Sequence, residues 1–396
     1  MRRRGLQKMN ILKRPPGDTF TFRQFVALTS QIKSSKDVFY LWSTCIDPNY
    51  KQISHFIGTQ QFYETEILYR NIIMSSVNTD LIIIGIKDHL TGDNFNPKVS
   101  KYTDMTIWLK QMAQYYSNKK IILFTSLENL EIDEHNVKII PWGGDITNHQ
   151  REYQKLQPVL EKNLNSNYTF LSLNRNKRTH RAMLVSLLYG LGIQNSGLIS
   201  CMFKDSITDL FEYTGWEVND TSVYLKGFDT LKNTLLSIND APEIYHNNNN
   251  DNVSNFKNKL AQYYQDTFVE IVAETSYTEA CYNLTEKTLN SIYGCCFPIL
   301  LCSPGTVAFL RSIGLDMFDD IIDHGYDTII NPADRLEYAI LKNKELLTDT
   351  ACTKRLWIQN KNRFEKNVDF CRERLYNYYN NRSKNLFKEI INDYNL

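Results

Sequence analysis

The 396-residue chain lacks most of the short patterns that mark nucleotide, metal or hydrolytic chemistry. It has no GxxxxGK[ST] loop and no GxGxxG after a strand-like run, and GIKDHLTGD (85–93) lacks the glycines for either, so neither a P-loop nor a dinucleotide fingerprint is present. Its 7 histidines show no HxH or HExxH spacing and no Asp-x-Asp occurs, which leaves no sequence pattern for a metal site. There is no GxSxG elbow of a serine hydrolase. The 8 cysteines form no CxxC pair and no framework spacing. Most sit in apolar runs, where a thiol acts as a small hydrophobe, and a reducing compartment is expected. Charge of one sign is missing as well: Lys+Arg number 45 against Asp+Glu 44, a net charge of +1, which disfavours a strongly basic nucleic-acid binder. No apolar run approaches a membrane span, and the basic opening MRRRGLQKMNILKRPPG lacks the apolar stretch of a signal peptide. The expectation is a soluble, cytoplasmic protein.

The apolar share of 42% and charged share of 22% are those of a globular protein, and the length favours two domains. Richness in Asn, Lys, Tyr and Ile, including Asn247 to Asn250, suggests an AT-rich genome such as that of a phage. Continuous apolar runs at 37–42, 80–86, 120–126 and 136–142 fit strands buried on both faces of a parallel sheet. Helical periodicity lies between them at 62–75 and 103–117. Alternating strand and helix signals an α/β domain over 1–150. WGGDITNHQ (142–150) breaks the pattern, and a helical stretch over 152–163 is expected to follow it. A second α/β set runs over 151–345, with strands at 168–174, 268–275 and 297–302 and helices from His180 and Thr285. Residues 346–396 read as a helical tail, and 245–255 as a polar loop of low complexity.

Two stretches of the second set could carry chemistry. In FLSLNRNKRTHRAMLVSLL (170–188), Arg175, Lys177, Arg178 and Arg181 fall at a strand-to-helix turn. Guanidinium groups bind phosphate oxygens in bidentate fashion, and a helix N-terminus adds N–H groups and positive dipole; a solvated basic turn is the plainer reading. In VAETSYTEACYNLTEKTLNSIYGCCFP (272–298), Thr285 can cap a helix whose first turn holds Glu286 and Lys287. A cap tolerates the acid, but the lysine opposes the helix dipole and makes sense beside an anion. Glu286 suits a ribose diol, Lys287 a phosphate, and Glu274 at the preceding strand end is a second acceptor.

The order AET…NLTEK…G..FPILL, preceded by strand–SLN…R–helix, resembles the nucleotide-sugar-binding half of α-1,3-fucosyltransferases and related glycosyltransferases of GT-B fold. The resemblance covers about 168–305, and Leu173 stands where that family has serine. It implies two Rossmann-like domains facing a cleft: an acceptor-side domain and a donor-binding domain. It places Arg181, Lys287 and also Arg178 on a donor diphosphate, Glu286 on its ribose, and Asn174 at the turn. It also implies a general base on a loop after a first-domain strand. Glu128 after IILFTS fits that place, with Glu131, Asp133, Asp88 and His89 as rivals. The implied activity is a metal-independent, inverting transfer of a sugar from a nucleoside-diphosphate sugar, with no cofactor, to a glycan or small-molecule hydroxyl. Two alternatives stay open. One is a phage enzyme acting on hydroxymethylated bases in double-stranded DNA; the other is a non-catalytic nucleotide- or nucleic-acid-binding protein of the same fold.

Overall fold

The structure is a computed structural model that describes residues 38–43, 81–86, 110, 113–114, 116–125, 130–141, 153–175, 178–201, 203, 218, 221–232, 256, 260–275, 277, 282 and 284–394. The described chain divides into two compact units, one holding the first four strands and residues 377–394, the other residues 153–376.

In the first unit, strands β1 (Val38–Ser43), β2 (Leu81–Ile86), β3 (Lys120–Thr125) and β4 (Val137–Pro141) pair in parallel in the order β1-β2-β3-β4. Ile121, Ile122, Leu123 and Phe124 are all fully buried, so both faces of β3 are covered. That is why its sequence runs apolar without alternation. The Asn136 amide donates to the carbonyls of Ala113, Tyr116 and Lys119 at 3.0–3.1 Å, tying the approach to β4 to the segment before β3. The end of the chain packs here too: Phe387 lies 5.6 Å from Phe124, and the Ser383 hydroxyl donates to the Pro141 carbonyl at 3.0 Å.

The second unit runs β5 (Phe170–Asn174), α1 (Thr179–Gly190), β6 (Gly197–Cys201), α2 (Ser222–Lys232), α3 (Ala261–Gln265), β7 (Val269–Ala273), α4 (Glu286–Tyr293), β8 (Phe297–Leu301) and α5 (Thr306–Ser312). Helices α6 (Pro332–Lys342), α7 (Lys344–Thr348), α8 (Thr350–Gln359) and α9 (Lys361–Phe370) follow, then a π-helical turn (Cys371–Leu375); α10 (Tyr376–Asp393) continues from it into the first unit, which holds its residues from Asn377 on. The sheet is parallel throughout, in the order β6-β5-β7-β8. The chain steps from β5 to one side and later returns on the other, so the order reverses between β5 and β7. In an open α/β sheet a crevice for ligands lies beyond the strand C-termini at such a reversal.

Local chemistry explains the elements that shape this crevice. Helix α1 is buried over His180–Gly190, which accounts for its weak amphipathic pattern. It meets α2 with backbones almost touching: a Cβ at Gly227 would stand 1.8 Å from the Ser186 carbonyl oxygen, and one at Gly190 2.0 Å from that of Val223. Gly227→Ala should force the two helices apart and cost about 1–3 kcal/mol, readable as a lower urea midpoint at unchanged m-value. Segment 153–163 differs from expectation. It is irregular rather than helical, with Pro158 inside it, and its backbone binds other elements: Val159 N–H donates to Tyr293 O at 2.8 Å and Asn163 N–H to Gln265 O at 2.8 Å. Proline removes a helical donor there, and tertiary bonds outcompete the local periodicity.

Candidate functional site

The point where the order reverses is flanked by the ends of β5 and β7 and the helices that follow them. Asn174 closes β5. It is fully buried, its N–H donates to the Ser200 hydroxyl at 2.9 Å, and its amide donates to the Ser172 hydroxyl at 2.9 Å. The backbone then turns through exposed Arg175 and half-buried Arg178 into α1. Arg178 is the N-cap residue, in extended conformation (φ −144°, ψ 146°), and contributes no side-chain cap; the first turn contains no acid. A helix start of this kind normally takes Ser, Thr, Asp or Asn at the cap and a carboxylate in the first turn. Here arginines stand at both places.

Arg181 sits one turn further in and is 2% exposed. Its Nη2 donates to the carbonyls of Ala273 (3.0 Å) and Glu274 (3.4 Å), while His180 Nε2 lies 2.9 Å from the Glu274 carbonyl. A carbonyl only accepts, so His180 carries a proton on Nε2. Arg181 is thus a buried tie between α1 and the end of β7, and the outer arginine, Arg178, is the one with solvent access.

Glu274 lies at the C-terminal end of β7 and is fully buried. One carboxylate oxygen accepts from the N–H groups of Thr285 and Thr288, both at 3.2 Å, and from the Thr288 hydroxyl at 2.6 Å. The other accepts from Thr275 N–H at 3.1 Å and the Thr285 hydroxyl at 2.6 Å. These bonds fill the N-terminus of α4 with a carboxylate from another element, leaving Glu274 no capacity for a ligand diol. The lysine that opposed the dipole is neutralised on the spot. Lys287 Nζ donates to Glu286 Oε1 (2.8 Å), Thr285 Oγ1 (3.1 Å) and Thr275 Oγ1 (3.3 Å). Three acceptors satisfy the three ammonium protons. The Lys287 and Glu286 side chains are 25% and 28% exposed, so the pair faces solvent at the rim.

The junction from β8 to α5 repeats the arrangement. Asp327 accepts from Val307 N–H (3.1 Å) and Ala308 N–H (2.9 Å) and closes that helix start. Gly305 precedes it at φ +82°, a conformation open to glycine, with the Tyr282 hydroxyl 2.7 Å from where a Cβ would stand. Of the three strand-to-helix junctions described along this rim, two are closed by buried carboxylates. The β5–α1 junction instead carries arginine.

Three buried residues that the sequence did not single out hold the rim in place. His180 stacks on Tyr277 (4.9 Å, 21°), and the Arg335 guanidinium lies 4.3 Å from the same ring. Arg335 also donates to the carbonyls of Ile329 (2.6 Å) and Tyr277. It lies on the buried face of amphipathic helix α6, beside Leu336 and one turn before Ala339. The base candidates Glu128, Asp88 and His89, and Lys177, lie outside the described residues. Glu131 and Asp133 are exposed.

Compared with protein-family models, with curated proteins and with solved structures, the chain matches none of them. What stands is a class: an α/β protein with parallel sheets. Among the described residues no helix is long and apolar enough to cross a membrane.

Proposed function

We propose that the β5/β7 crevice binds the diphosphate of a nucleoside-diphosphate sugar, and that the chain is an inverting glycosyltransferase of GT-B arrangement. The observation that carries the reading is the β5–α1 junction: an arginine N-cap and an acid-free first turn at the point where the strand order reverses. Such a junction offers N–H groups, dipole and guanidinium to an anion. Lys287 flanks the same end of β7 from the other side, through Thr275. Arg178 and Lys287 would hold the phosphates, with the fixed charge of Arg181 behind them, and Glu286 would accept from the ribose. These cations stabilise the charge that develops on the leaving diphosphate. A carboxylate, Glu128 by its place in the sequence, would take the proton of the acceptor hydroxyl as that oxygen attacks the anomeric carbon and the nucleoside diphosphate leaves.

The test is a thermal-shift and calorimetric screen of nucleoside diphosphates, their sugars and inorganic pyrophosphate, since a ligand of the native state raises its melting temperature. Binding is expected, with Arg178→Ala about tenfold weaker through loss of a charge-assisted contact. Absence of any shift across the panel, or an Arg178→Ala variant that binds as tightly as the native chain, removes the reading. Release of nucleoside diphosphate on addition of an acceptor separates a transferase from a binding protein.

A further inference from the structure

We infer that Glu286 is a built-in competitor for the ligand phosphate: it occupies Lys287 in the free protein and gives the ammonium up when a diphosphate arrives. The inference rests on the phosphate-binding reading of the crevice and adds to it a residue that sets affinity from within. Lys287 has its three protons satisfied by Glu286 and by two threonine hydroxyls. A fourth acceptor can enter only by replacing one of these. Thr285 Oγ1 is bound into the rim, since it also donates to Glu274 at 2.6 Å. Glu286 is the exposed member and the only charged one, and its bond to Lys287 joins adjacent residues of one helical turn. Solvent reaches this pair, and a diphosphate with two or more negative charges outcompetes a single carboxylate for the ammonium.

The exchange has a second consequence at the same helix start. The N–H groups of Thr285 and Thr288 are already bound to Glu274, so α4 offers an incoming anion its lysine side chain rather than those amides. Affinity on this side of the crevice is then governed by how firmly Glu286 holds Lys287.

The experiment is a double-mutant cycle read by titration calorimetry, with inorganic pyrophosphate as the probe because it carries no ribose for Glu286 to contact. Glu286→Gln keeps the shape of the side chain and removes the charge. It is expected to bind pyrophosphate about fivefold more tightly than the native chain, the size of one released surface ion pair. The same substitution made on Lys287→Ala should give no gain. Equal or weaker binding by Glu286→Gln, with the native chain still binding, overturns the exchange and leaves the phosphate site standing. A gain that persists in the Lys287→Ala background also overturns it, because general repulsion would then be the cause. No binding by either the native chain or Glu286→Gln removes both the exchange and the phosphate site.

Discussion

Glu274→Ala is expected to lower the unfolding free energy by about 4 kcal/mol, the loss typical of breaking a buried polar network. The size follows from what the carboxylate holds. Three backbone N–H groups and two hydroxyls converge on it inside a fully buried position. The hydroxyls can rotate toward other acceptors. The N–H groups of Thr285 and Thr288 cannot, because they belong to the N-cap and first turn of α4, whose own geometry provides no acceptor for them. Glu274→Gln should cost about half as much, since one oxygen remains for the two helix amides while the new NH₂ group faces donors. Urea denaturation orders the series, and hydrogen exchange locates it: the amides of Thr285 and Thr288 should lose protection before those of β8. A loss below about 1 kcal/mol in the alanine variant would show that α4 is held by something other than this carboxylate.

The contrast between Glu274 and Lys287 also shows how far the sequence could be read. Strands β3, β7 and β8 were legible because their side chains are buried on both faces. IILF and FPILL are unbroken apolar runs, as a strand covered on both faces requires. Strand β6 was not legible, since GLISC is short, opens on glycine and follows a helix-like run without a clear break. The α4 start was readable from Thr285. What a linear pattern could not show was direction. Arg181 and Arg178 stand three residues apart in one basic turn, yet Arg181 is buried against the β7 carbonyls while Arg178 is half-buried. Glu274 reads as an acceptor at a strand end and is one, but the donors it meets come from its own chain, eleven and fourteen residues on. The apparent misplacement of Lys287 had the same origin: its counter-charge is internal, and periodicity carries no information about it.

Glu270→Gln is expected to make the protein more stable at alkaline pH while leaving it nearly unchanged near pH 5. Glu270 lies within β7, 3% exposed, where the Tyr264 hydroxyl donates to Oε1 at 2.8 Å. Burial drives its carboxyl from the ordinary 4.5 up to about 8, against the opposing pull of Tyr264, Ser291 and the Lys162 ammonium and with a further push from Glu274. Lys162 does not neutralise it by direct pairing, for its Nζ donates to the carbonyls of Tyr264 and Gly294, both at 2.6 Å, and to Cys296 Sγ at 3.3 Å. The sign follows from linkage. Between pH 4.5 and about 8 the native state keeps a proton on Glu270 that the unfolded chain has released. Unfolding therefore sheds a proton, and native stability falls as pH rises through that window. Below it both states are protonated and the group contributes no pH dependence; above it the full penalty is present. A difference of 3.5 (about 8 less 4.5) corresponds to about 5 kcal/mol as an order of magnitude. Glutamine has no proton to lose, keeps an oxygen for Tyr264 and gives Ser291 a donor. Chemical denaturation from pH 5 to pH 9 should show the native chain losing several kcal/mol more than Glu270→Gln, with the curves converging at the acid end. Parallel curves across that range would mean that Glu270 ionises in the folded protein as it does in water.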